Sequence, residues 1–227
     1  MSATKALIVS PHPDDLEIGM GGTTCLLLEK GIEVISIVVT DGRGSANSLG
    51  LTTEELVRTR EEEVIESSAI LGVELSLLRF SDMESEANKH EFSSKIWEII
   101  NELQPDEIYL PHPEIDKHKT HRTVSRLTLD SLNAVVKENA FEFECWFYEV
   151  WTPFPSYDRI EDITSFADTK RRAIEAHKSQ TAYKDYTDGI MGLNRYRGVF
   201  NDTAEGFAPL WAEIFIKYDS MNLLKEK

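Results

Sequence analysis

The stretch that decides the fold is KALIVSPHPDDLEIGMGGT, from Lys5 to Thr23. It opens as a short apolar run with the character of a buried strand. It then runs straight into a histidine and two adjacent aspartates framed by prolines, with glycines close behind. Prolines fix the backbone, and carboxylates beside an imidazole do nothing for a core. A strand end carrying chemistry is therefore expected, with a metal site and a glycine-rich phosphate loop as the competing readings.

Outward from this stretch, short β-branched runs alternate with longer segments of helical period, the pattern of βαβ units and a parallel sheet. Strand one is expected over 6–10 and a helix over 18–30, stopping at Gly31. The apolar run 33–42 reads as a central strand covered on both faces. The segment 52–72 has Thr52 three residues before Glu55 and ends in Gly72, so its helix start and stop signals agree. Strands at 74–80, 106–111 and 142–150 and helices near 92–103 and 119–138 continue the alternation. A helix near 165–178 and a strand over 210–218 complete it, and the segment 181–209, rich in Gly, Tyr and Asp, reads as a long loop.

No composition break, linker or internal repeat divides the 227 residues, so one domain over 1–227 is expected. With 40 acidic against 24 basic residues the net charge is −16, which argues against nucleic acid and anionic lipid as partners. There is no signal-like segment and no 18-residue apolar run, so a cytoplasmic location is expected. Cys25 and Cys145 sit in apolar surroundings and read as buried thiols.

In open α/β sheets, ligands bind beyond the carboxyl ends of the strands. PHPDD (11–15) follows the first strand and PHPEIDKHKTH (111–121) follows the strand at 106–111, and these two segments hold His12, His112, His118 and His121. His118 and His121 are spaced to share a helix face. One carboxylate and two imidazoles around an open position suit a catalytic zinc site, with a spare carboxylate as proton acceptor and a spare histidine for an oxyanion. Glu114 and Asp116 read as loop acids.

The phosphate-loop alternative rests on GMGGT (19–23) and on Asp41 at the end of the next strand, an imitation of a dinucleotide fingerprint. Its flaw is that the nine residues 10–18, three of them acidic, come before the first glycine. Asp14, Asp15 and Glu17 would face a pyrophosphate with no compensating base. Close packing of the helix on the sheet explains the glycines better.

PHPDDLEIGMGGT resembles the first motif, (A/P)HPDD-x-E-x-G-x-GGT, of the LmbE-like, or PIG-L, deacetylases. HPEIDKHKTH (112–121) resembles their second, HP-x(n)-HxDH, with Thr120 in place of the aspartate before the final histidine. That aspartate is not a metal ligand in the family, so the departure bears on support around the metal. Weaker echoes lie at 38–42, 58–73, 170–180 and 211–215. The resemblance implies a Rossmann-like α/β fold, a mostly parallel sheet with helices on both faces. It implies a zinc-dependent hydrolase, one zinc per chain, that removes the acetyl group from an N-acetylglucosamine-type small molecule. His12, Asp15 and His121 are then the zinc ligands, Asp14 the general base, and protonated His118 the partner of the oxyanion. Relatives often form trimers or hexamers, so a homo-oligomer is expected. A phosphoesterase-like metallohydrolase and a nucleotide-binding module are the alternatives.

Arg60 resembles an arginine that reaches the substrate in relatives, against a solvent-facing arginine pairing with neighbouring glutamates. Asp82 resembles a sugar-hydroxyl contact, against a turn or capping aspartate. His177 and Gln180 fall on a family motif, where His177 reads as structural, and Arg195 and Arg197 are available to an anionic substrate group. The aromatics Trp146, Phe147, Tyr148, Trp151, Phe154 and Tyr157 read mostly as core, with some left to line a sugar site or an interface. The run EEE (61–63) reads as a solvated helix face.

Overall fold

The computed structural model describes residues 4–139, 141–202, 206 and 208–218. The chain runs β1 (Lys5–Ser10), α1 (Asp15–Glu29), β2 (Glu33–Thr40), α2 (Thr53–Leu71), β3 (Glu74–Phe80), α3 (Glu86–Leu103), β4 (Glu107–Pro111) and α4 (Lys119–Asn139). There follow β5 (Glu144–Tyr148), β6 (Arg159–Asp162), a 3-10 turn (Thr164–Phe166), α5 (Ala167–Glu175), α6 (Lys178–Thr181), α7 (Thr187–Phe200) and β7 (Ala212–Lys217). One seven-stranded sheet has the order β3-β2-β1-β4-β5-β7-β6. The first five strands are mutually parallel, and β7 pairs antiparallel with both β5 and β6. The expected α/β, mostly parallel architecture is what is found.

Alternation along the strands builds two cores. Ala6 and Ile8 of β1 face a layer made by α1, α2, α5 and α7, with Leu16, Leu27, Leu71 and Ile174. Leu7 and Val9 face the opposite layer, made by α3 and α4, with Phe92, Ile96, Val124 and Leu132. Both faces are covered, as parallel strands require. Both cysteines are buried and unpaired, and among the described residues no helix is long and apolar enough to cross a membrane.

Local signals fix several boundaries. Thr52 accepts from Glu55 N while the Glu55 carboxylate accepts from Thr52 N, a complete capping box, and Gly72 closes α2 at φ 76°. Helix α3 begins at Glu86 rather than near 92, because Ser85 caps it by accepting from Asn88 N. Helix α1 starts at Asp15, three residues before the expected position, and it is broken at Met20, whose φ/ψ are non-helical.

The reading of 181–209 as loop is corrected, since Thr187–Phe200 is the helix α7. Its glycines mislead. A Cβ on Gly198 would lie 2.8 Å from the backbone of Pro209, Leu210 and Trp211, so glycine is there to let the helix lie against that chain. The expected helix 165–178 is divided among the 3-10 turn, α5 and α6. Strand β6, four half-buried residues without alternation, gave no sequence signal.

Glycines in two helices make opposite predictions. A Cβ on Gly19 would meet the Tyr148 ring and lie 2.6 Å from the Glu149 carbonyl oxygen, whereas one on Gly189 meets nothing within 4 Å. Gly19→Ala is expected to lose about 1–3 kcal/mol of stability by overpacking, and exposed Gly189→Ala to gain about 0.5–1 kcal/mol. Denaturant melts of the two variants check this; equal effects would contradict it.

Candidate metal centre and catalytic residues

The strand order reverses between β1 and β4, which are neighbours in the sheet. A crevice outside the carboxyl ends of two such strands is the ligand-binding place of this architecture. Here it receives both histidine segments. After β1, the Pro11 carbonyl accepts from Thr40 N at 3.0 Å and Thr40 Oγ1 at 2.8 Å, which ties the 11–15 turn to the end of β2. After β4, the Pro111 carbonyl accepts from Ser125 Oγ of α4 at 2.7 Å. Asp116 Oδ1 accepts from His118 N at 2.7 Å, shaping the entry into α4, and His121 in its first turn is fully buried.

These supports bring three ligand atoms together. His12 Nδ1 lies 3.0 Å from His121 Nε2 and 3.2 Å from Asp15 Oδ2, and His121 Nε2 lies 3.2 Å from Asp15 Oδ2. A tetrahedron with bonds of about 2.0 Å has edges of about 3.3 Å, so the triangle has the size of one face of a zinc-like polyhedron. Asp15 Oδ1 is buried with no partner in the chain, as befits a carboxylate whose contacts lie on a ligand. The residues therefore fit a small divalent cation. His118 adds its ring 4.7 Å from both other imidazoles, and ring nitrogens of His12, His118 and His121 lie within 4.8 Å of one another.

The electrostatics are those of a tight imidazole–carboxylate cluster. Burial raises the Asp15 carboxyl, but His121 and His12 beside it hold it well below the usual carboxylate range. Burial disfavours a charged His121, yet the carboxylates of Asp15 and Asp116 prevail and push it up to about 10. Burial and the neighbouring imidazoles push His118 down to about 4. That shift opposes the protonated state that the resemblance implies for His118.

Asp116 is the residue the sequence reading missed at the centre. It is buried, not a solvated loop acid, and its Oδ2 lies 3.2 Å from His121 Nδ1, close enough to orient the ring though off the line of a straight hydrogen bond. A carboxylate behind a ligating histidine is the usual outer support of a metal. The signal was the Asp-x-His-x-x-His spacing itself. Support behind His121 thus comes from Asp116, four residues before the position where Thr120 departs from the family pattern.

Asp14 stands between the two motifs' chemistry and the rest of the protein. Its φ of 145° is a strained conformation for a residue with a Cβ. Arg60, 1% exposed, holds it there by donating to the Pro13 carbonyl and placing Nη2 3.3 Å from Asp14 Oδ1. Arg60 is therefore not solvent-facing; its Nη2 is committed to the 13–14 turn, while its Nε is buried with no hydrogen-bond partner in the chain. Tyr186 Oη donates to Asp14 Oδ2 at 3.2 Å. Tyr186 was not singled out in the sequence; its one signal was its place in the segment 181–209, which reads as a long loop.

The remaining candidates divide. Asp82 accepts from Glu84 N and Ser85 N at 2.9 Å, the geometry of a turn aspartate. His112 is outside the cluster: its Nδ1 accepts from Glu114 N and Ile115 N, and its ring packs on Phe147. His177 is fully buried, with Nε2 3.4 Å from Glu17 Oε1, and Gln180 Nε2 donates to Ser45 Oγ and the Ala46 carbonyl at 3.3 Å. Arg195 donates to the Leu210 carbonyl and Arg197 to Glu149, so both arginines serve the fold. Trp146, Phe147, Tyr148 and Phe154 are core; the Trp151 ring packs edge-on to Tyr186, and the Trp151 backbone N donates to Asp116 Oδ2 at 3.3 Å. The EEE reading needs one correction: Glu63 is buried, and its two oxygens accept from Ser179 N at 2.6 Å and Ser179 Oγ at 2.7 Å.

The glycines of GMGGT are packed, not open to a phosphate. A Cβ on Gly21 would approach Lys170 Cγ at 3.3 Å, and one on Gly22 would meet Ile163 at 2.6 Å. The nucleotide-loop alternative has no space to operate.

With this geometry in hand, comparison with known proteins is informative. The PIG-L family, described as GlcNAc-PI de-N-acetylase, matches residues 7–132, more than half of the chain. The chain belongs to the PIG-L family. It is similar to the diacetylchitobiose deacetylase of Thermococcus kodakarensis, 29% identical in an alignment over 192 residues that covers 78% of this chain and 70% of that one. It is 28% identical over 182 residues to a Bacillus cereus protein named "Probable N-acetyl-alpha-D-glucosaminyl L-malate deacetylase 2", covering 77% of this chain and 83% of that one. The structure of N,N'-diacetylchitobiose deacetylase from Pyrococcus horikoshii, complexed with its inhibitor MPG, superimposes with a TM-score of 0.81. It is 26% identical, over 98% of this chain and 86% of that one.

Asp116→Asn keeps the Oδ1 acceptor for His118 N but removes the charge behind His121. Divalent-metal affinity, read by chelator competition, is expected to fall about 10–100-fold with the fold intact. Unchanged affinity would contradict the supporting role.

Proposed function

We propose that this protein is a zinc-dependent amidohydrolase that removes the acetyl group from an N-acetylglucosamine-type sugar or conjugate, releasing acetate and a free amine. The observation that carries the reading is the His12–Asp15–His121 triangle with Asp14, a further buried carboxylate, next to it in the chain. Kinship with the deacetylases named above supports it.

In this reading His12, Asp15 and His121 hold one zinc ion. When bound, zinc supplies Lewis-acid polarisation of the acetamide carbonyl and a water made acidic enough to react near neutral pH. Asp14 is the proton acceptor for the attacking water. Its strained backbone and its contacts with Arg60 and Tyr186 fix the carboxylate in place, so little reorganisation is left for the reaction. The accepted proton then goes to the leaving nitrogen, which departs as the free amine of the sugar. His118, exposed at the mouth and neutral, donates its N–H to the oxygen that gains charge as the carbonyl carbon becomes tetrahedral. Among the described residues no second group of this kind stands beside the triangle. A two-metal phosphoesterase arrangement is accordingly not favoured.

The direct test is acetate release from N-acetylglucosamine, N,N'-diacetylchitobiose and carboxylate-bearing N-acetylglucosamine conjugates. Release is expected to vanish with chelation and return with zinc. Asp14→Asn is expected to keep zinc while turnover falls about 10²–10⁴-fold. Full turnover by Asp14→Asn, or chelator-resistant release, would overturn the mechanism.

A further inference from the structure

The break in α1 has an identifiable cause. In an unbroken helix Gly22 N would donate to the Ile18 carbonyl and Thr23 N to the Gly19 carbonyl. Here Lys170 Nζ of α5 donates to the Ile18 carbonyl at 2.8 Å, and Glu213 of β7 accepts from Gly22 N at 3.0 Å and Thr23 N at 2.7 Å. Lys170 Nζ and Glu213 Oε1 meet at 2.6 Å, and both side chains are 0% exposed. The ion pair has thus entered the helical ladder and taken both halves of the 22-to-18 bond, one recognised origin of a kink. Room for it comes from the glycines: a side chain on Gly21 would crowd the Lys170 stem, and one on Gly22 would strike Ile163.

The kink at Met20 separates a front half, Asp15–Gly19, which is buried throughout, from the back half that runs on to Glu29. The front half carries Asp15 and, at its N-cap, Asp14. It is held from its sides as well, since Glu17 accepts from Ser67 Oγ of α2, and Gly19 is seated on Tyr148 and the Glu149 carbonyl. The lever is sizeable. A bend of about 20°, acting over the roughly 7.5 Å from Met20 to Asp15, moves Asp15 by about 2.5 Å. Metal ligands tolerate errors of only about 0.2 Å.

We propose that Lys170 and Glu213 are positioning residues: wedged into the α1 ladder, they set the direction of its first turn and thereby aim Asp15 at His12 and His121. This rests on the reading of Asp15 as a zinc ligand. It gives the GMGG run a purpose, which is to admit the wedge. A buried ion pair is also a poor source of net stability, whereas loss of one partner leaves an uncompensated charge; a role in geometry accounts for its presence.

The test compares the full-length wild type with Lys170→Met and with the double variant Lys170→Met/Glu213→Gln, which leaves no unpaired buried charge and decides the matter if the single variant fails to fold. Ile100→Ala, a core truncation on the opposite face, controls for general destabilisation. Zinc Kd is read by chelator competition, and kcat and KM by acetate release. The wedge predicts a folded double variant whose zinc Kd is raised about tenfold and whose kcat falls with KM little changed, while Ile100→Ala keeps the wild-type Kd. A folded double variant with wild-type zinc Kd and kcat overturns the proposal and leaves the deacetylase reading standing. Wild-type protein that binds no zinc overturns both.

Discussion

Three candidate ligand atoms held within 3.2 Å of one another are the constraint on which the rest of the structure depends. Two imidazoles and a carboxylate do not crowd together by chance in a buried crevice, because taking them out of water is costly unless each finds a partner. The fold meets this requirement at the point where β1 and β4 lie side by side and their connections diverge. Every segment that delivers one of these atoms is then tied down: Pro11 to Thr40, Pro111 to Ser125, and His121 to Asp116.

Helix α2 is the second scaffold of the site. Its buried face includes Arg60, Glu63 and Ser67, which is unusual for a face turned inward. Each polar group has its own errand. Arg60 holds the Pro13–Asp14 turn, Glu63 satisfies the start of α6 through Ser179, and Ser67 holds Glu17 in the first part of α1. The strain at Asp14, of order 1–3 kcal/mol for such a conformation, persists because Arg60 binds both the backbone before it and the carboxylate itself. The same helix thus holds Asp14, the start of α6 and the first part of α1.

Much of this was legible in the sequence where one local rule acted alone. Thr52, Glu55 and Gly72 bounded α2, the alternation of short apolar runs and helical periods gave the parallel sheet, and the two histidine segments at strand ends pointed to one site. What escaped depended on contacts remote in the chain. Helix α7 was hidden by Gly189, Gly192 and Gly198, residues that read as loop until the backbone lying against Gly198 is known. Asp116 and Glu63 looked like solvated acids because their partners, His121 and Ser179, are fixed only by tertiary packing. Arg60 was weighed between substrate and solvent, and Tyr186 passed over, because nothing local says that both converge on Asp14. The roles of the individual histidines came from a family resemblance, not from spacing.

The central claim is that one zinc ion sits among His12, Asp15 and His121. Anomalous diffraction at the zinc absorption edge, from crystals of the protein grown with zinc, tests it most directly. The account predicts a single strong peak per chain within bonding distance of His12 Nδ1, Asp15 Oδ2 and His121 Nε2. No peak there at saturating zinc, or a peak held by other side chains, would contradict it.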